Sequence, residues 1–145
     1  MERINNRSLL LWKLSFLFIF LFIGCNFEKK IIEKGLDLKQ KKEIGLLRHV
    51  VLFKFKDDTT EEQIKSVESA FSGLPGKIPE IHAYEWGIND SPEGLAEGYS
   101  HCFLVTFNNE AGREVYLPHP SHKEFGTLVR PNVEKVLVFD FVSSE

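Results

Sequence analysis

Three stretches of this chain, LRHVVLFKF from Leu47, YSHCFLVTF from Tyr99 and VLVFDFV from Val136, have the length and β-branched, aromatic composition of strands, yet they are apolar on both faces. Side chains alternate across a strand with period two. The first stretch therefore sends Val50 and Leu52 one way and His49, Val51, Phe53 and Phe55 the other. The second divides Cys102 and Leu104 from His101, Phe103, Val105 and Phe107, and the third divides Val136 and Val138 from Leu137, Phe139 and Phe141. A sheet with one face in water alternates apolar with polar residues, so each of these faces requires a cover.

The segments between the strands supply one cover. Thr60-x-x-Gln63 is a capping box, and Ile64, Val67, Phe71 and Leu74 follow at helical spacing, which predicts an amphipathic helix over 60–74 closed by Pro75-Gly76. A second strand is predicted from Ile81 to Asn89, before the turn-rich DSPEGLAEG. A short helix runs from Asn108 or Asn109 to Leu117, and Pro118 interrupts it. Ser121-x-x-Glu124 reads as another capping box, opening a helix through Val129 that ends before Pro131. The order is β-α-β-β-α-β, the split arrangement of the ferredoxin-like α+β class. Helices on one sheet face leave the other bare, and a second sheet is the natural cover. A homodimer that buries the bare faces against each other is the expectation.

At 145 residues with 43% apolar content, there is one core's worth of chain. Leu47 to Glu145 holds nine basic and sixteen acidic residues, a net −7, which argues against a nucleic-acid partner. With two cysteines, Cys25 and Cys102, there is no disulfide framework, and Cys102 within its apolar strand is expected to pack as a small buried hydrophobe.

The first residues have a different composition. Arg3, Arg7 and Lys13 precede an apolar run from Leu14 to Ile23 broken only by Ser15, the layout of a secretory signal over 1–24. The run is short of the roughly 20 apolar residues of a membrane span. Its end, Leu21-Phe22-Ile23-Gly24-Cys25, resembles the lipobox of bacterial lipoproteins, which implies lipidation of the Cys25 thiol and an anchored location in the cell envelope. Residues 25–46, rich in Lys and Glu, read as a solvated tether between that anchor and the domain.

HVVLFKFKDDTTEEQI, LPGKIP, GYSHCFLVTF, YLPHPSH and VLVFDF together resemble the stress-responsive dimeric α/β-barrel family, known as Dabb, over residues 47–143. The resemblance implies a ferredoxin-like protomer, a dimeric barrel and a cleft between sheet and helices. One plant branch, the olivetolic acid cyclases, closes a polyketide ring, and its functional tyrosine and histidine match Tyr116 and His122. His49, His101 and His119 match neighbouring positions, and with Phe53 and Phe103 they are the expected ligand-binding set. In the first turn of a helix the dipole disfavours imidazolium, so His122 suits a proton acceptor, with the Tyr116 hydroxyl as donor.

A plainer reading lets His119 and His122 fasten the proline-rich corner by hydrogen bonds while Tyr116 packs. His119-x-x-His122 has a metal-like spacing, but no carboxylate or cysteine completes a set, and no metal or cofactor is expected. A small hydrophobic or aromatic ligand in the cleft is therefore the first expectation. A cyclase-like or lyase-like enzyme and a purely structural dimerisation module stand beside it.

Overall fold

The computed structural model describes residues 29–36, 38 and 45–144. The expected signal segment 1–24, the expected lipidation site Cys25 and half of the residues read as a tether lie outside them. Residues 29–36 are helical and exposed, and they belong to a unit separate from the domain that begins near residue 44. Among the described residues no helix is long and apolar enough to cross a membrane.

The domain comprises β1 (Leu47–Phe55), α1 (Glu61–Ser72), β2 (Ile81–Ile88), β3 (His101–Phe107), α2 (Glu110–Tyr116), α3 (Pro120–Val129) and β4 (Val133–Val142). The strands form one antiparallel sheet in the order β2-β3-β1-β4, with helices against one face. This is the ferredoxin-like α+β fold that the element order predicts.

Local chemistry sets most element ends. Thr60 caps α1 with the reciprocal Gln63 contact, satisfying two backbone N–H groups that the first turn leaves unpaired. Asn109 caps α2 through Gly112 N–H. The last helix departs from expectation. Its cap is His119, whose Nδ1 accepts from Ser121 N–H, and Pro120 occupies the first turn where a missing N–H costs nothing. The Ser121–Glu124 box does not open it. β4 starts at Val133, three residues before the expected Val136, because pairing with Phe55 across a bulge and the Lys54–Glu134 ion pair at 2.9 Å recruit the extra turn of strand.

The inward face of β1 and β3 packs beneath the helices around a ring cluster, with Phe71 stacked on Phe103 at 4.5 Å between centroids and Phe125 tilted against Phe71 at 4.6 Å. Val67, Phe71, Leu74 and Ile78 are the buried helix-side partners of Phe53, Phe103, Val105 and Phe107. On the opposite face, Leu137, Phe139 and Phe141 of β4 stand exposed beside Val50, Leu52 and Leu104, with Phe139 60% accessible. Cys102 lies on that outward face too, where its thiol is exposed. The expected burial of Cys102 is thus not met within one chain, because the strand's period turns it away from the helices.

Candidate functional site

The helices roof β1 and β3 but stop short of β4. Val136 and Val138 pair with Phe53 and Val51 and so belong to the inward face, yet they are 51% and 53% accessible. The gap between them and α3 is a cleft of about 330 Å³. Val51, Phe53, Phe71, Phe125, Val129, Val136 and Val138 make its apolar walls, and His49, Tyr116 and His122 add polar atoms. A mostly apolar hollow with a few convergent polar groups is how small-molecule sites are built.

Those polar groups come from three elements. Tyr116 ends α2, His122 sits in the first turn of α3, and the turn at 117–119 folds one ring onto the other, with centroids 4.3 Å apart. His122 Nδ1 donates to the Leu117 carbonyl at 3.0 Å, which leaves Nε2 as an acceptor in the neutral ring. Burial lowers the His122 pKa; the bond to Leu117 opposes that, and His49 and His119 add to it. The ring is therefore neutral at physiological pH. Tyr116, 1% accessible, is pushed far above the ordinary tyrosine range by burial, so its hydroxyl stays protonated and can donate.

His49 enters from the middle of β1, 5.8 Å from Tyr116 between ring centroids. Its Nδ1 lies 2.6 Å from Asp140 Oδ1, and the other carboxylate oxygen accepts from Arg113 at 2.7 Å. Burial works against charge at Asp140, but the hydrogen bonds and charges of Arg113 and His49 outweigh it and hold the carboxyl below its ordinary range. An ionised Asp140 favours a proton on His49 Nδ1, which in the neutral ring leaves Nε2 as an acceptor. The cleft thus has one hydroxyl donor between two imidazoles oriented by partners outside it.

His49, Phe53, Tyr116 and His122 all line this cleft. His101, Phe103 and His119 do not. His101 Nε2 pairs with Glu68 at 3.0 Å and its Nδ1 with Ser100 Oγ at 2.8 Å, so both ring nitrogens are engaged under α1. Phe103 is sealed in the core, and the ring of His119 serves as a helix cap. Motif position put these side chains together in the sequence, but the strand and helix directions separate them in space.

Asp140, Arg113, Gly126 and Arg130 escaped the sequence reading. Asp140 had a legible signal, as the one charge inside VLVFDFV. A larger hollow of about 430 Å³ lies between the outward sheet face and the 89–100 connection, lined in part by Leu52, Leu95, Tyr99 and Leu137, away from Tyr116 and His122. Among the described residues no three His, Cys, Asp or Glu side chains are grouped to hold a metal ion.

The profile of the family described as Stress responsive A/B Barrel Domain matches residues 47–143. Olivetolic acid cyclase of Cannabis sativa is 34% identical over 95 residues, covering 66% of this chain and 94% of the cyclase. The solved hydroxynitrile lyase of Passiflora edulis superposes with a TM-score of 0.66 at 26% identity, over 69% of this chain and 94% of the lyase. A ferredoxin-like protein of Bacteroides fragilis, described as dimeric and of unknown function, gives a TM-score of 0.57 at 29% identity, over 68% of this chain and 97% of its own.

Proposed function

The chain belongs to the stress responsive A/B barrel domain family, and from that premise we propose that it binds a small hydrophobic or aromatic molecule in the cleft between α3 and β4. The observation that carries this reading is an apolar hollow left open over β4 while the inward face of the neighbouring β1 and β3 is roofed. Gly126 lines it with nothing within 4 Å of where a Cβ would sit, so a side chain placed there projects into free space. Gly126→Leu fills the cleft while the buried side of α3 is untouched. Binding of small aromatic probes, read by native mass spectrometry, is expected to disappear in that variant. Unchanged binding in Gly126→Leu removes the cleft from consideration.

A second reading is proton-transfer catalysis, favoured by Tyr116, whose hydroxyl burial keeps protonated at neutral pH, beside a neutral His122. His122 Nε2 takes a proton from an activated carbon or hydroxyl, and Tyr116 steadies the oxygen on which negative charge develops. Two enzymes to which the chain is similar are named for a ring closure and a lyase reaction, and both names fit acid–base chemistry on a small substrate. Turnover of a carbonyl substrate that survives both Tyr116→Phe and His122→Ala would sink it.

A second copy covers the exposed face of Leu137, Phe139 and Phe141, in keeping with the dimeric neighbour. Phe139→Lys is expected to yield monomers in sedimentation equilibrium; a dimer that persists at micromolar concentration refutes this cover. Cys25 carries the lipid that holds the protein at the cell envelope, and Cys25→Ser is expected to abolish labelling by radioactive palmitate and partition into detergent. Labelling that persists in the variant rules Cys25 out.

A further inference from the structure

Among the described residues lining the cleft, Arg130 is the one formally charged side chain, and none is aspartate or glutamate. It sits at the end of α3, where its backbone N–H and its side-chain Nε both donate to the Gly126 carbonyl, each at 3.2 Å. That double attachment holds the guanidinium at the rim of the cleft, and among the described residues neither terminal nitrogen has a hydrogen-bond partner. Among the described residues Arg130 takes part in no ion pair.

We infer that Arg130 is a specificity-determining residue, and that the cleft selects a hydrophobic molecule ending in a carboxylate, its apolar body between Phe125, Val136 and Val138 and its acid group paired with the two terminal nitrogens of Arg130. This rests on the cleft reading above and narrows it to a chemical class. Planar guanidinium and carboxylate form two parallel hydrogen bonds, a geometry that a lysine ammonium does not reproduce. The domain around the cleft carries a net −7, so an anion finds few sites that do not repel it, and a guanidinium beside an apolar hollow is one. A neutral His122 adds no second cation beside Arg130.

The test titrates the full chain by calorimetry with phenylbutanoate and phenylhexanoate, each paired with its methyl ester. The acids are expected to bind at least about tenfold more tightly than the esters, a size set by a charge-assisted bidentate pair at a solvent-facing rim. Arg130→Gln should erase that preference and Arg130→Lys should keep only a small part, with thermal melts showing both variants folded. Equal binding of acids and esters, lost in Gly126→Leu, overturns the role of Arg130 and leaves the cleft reading intact. A preference for acids that survives Arg130→Gln also overturns it. Binding of neither acids nor esters overturns both readings.

Discussion

Replacing Asp140 by asparagine tests the arrangement behind the cleft, because one carboxylate orients His49 and holds Arg113. The change keeps the shape and removes the charge. The amide in Asp140→Asn offers one oxygen and one NH2 group to two donors, so at most one of the two contacts, now 2.6 and 2.7 Å, survives without rearrangement. A hydrogen bond to a buried charge contributes roughly 1.5–3 kcal/mol, and Arg113 and Asp140 are each about a quarter accessible, so the expected loss is about 2 kcal/mol. Urea unfolding of the full chain at neutral pH measures it. If the oxygen stays with Arg113, the NH2 group faces His49, whose proton must move from Nδ1 to Nε2, and nitrogen chemical shifts of the imidazole report that switch. The pH dependence has a definite sign. Asp140 titrates below its ordinary value of 3.8 in the folded chain, so its contribution is complete above that value and is lost as pH falls through the lower, folded one. The difference between the native chain and Asp140→Asn should shrink in acid. A loss under about 0.5 kcal/mol at neutral pH, with His49 still protonated on Nδ1, would refute the orienting role.

Three further outcomes follow from the same structure. Gly126→Ala should stabilise the domain by roughly 0.5–1 kcal/mol, since the position is helical and its Cβ meets nothing; a lower melting temperature contradicts that. Phe71→Ala empties the centre of the ring cluster and should cost about 3–5 kcal/mol in chemical denaturation, with a cost below about 1 kcal/mol showing that the cluster is not the core. Burial holds His122 neutral below its ordinary 6.5, so the unfolded chain takes up a proton that the folded one refuses, and stability should fall as pH drops below that value. His122→Gln should flatten this slope in melts between neutral and mildly acid pH; an unaltered slope assigns it to other groups.

The chain alone determined the fold class, because period-two alternation, capping boxes and proline breaks are local signals that act within a few residues. Thr60 with Gln63 caps α1 where the sequence placed it, and of the two candidates Asn108 and Asn109 it is Asn109 that caps α2. The two-faced apolar strands were equally legible, since alternation fixes which residues share a face before any partner strand is known. Where neighbours in sequence compete for one role, local signals failed. His119 rather than Ser121 caps α3, because the chain's approach through Pro118 and Pro120 leaves the imidazole against the free N–H groups. Tertiary structure alone decided which residues join Tyr116 and His122 at the candidate site and which do not. Strand order sets β4 beside β1, which brings Asp140 to His49 across 91 residues, and no sequence spacing encodes that pairing. The same packing aims His101 at Glu68 and seals Phe103 in the core, while the incomplete roof over β4 opens a cleft at Val136 and Val138. A strand's pattern says which way a side chain faces; only the packed elements above it determine whether it meets a core, a partner or an open space.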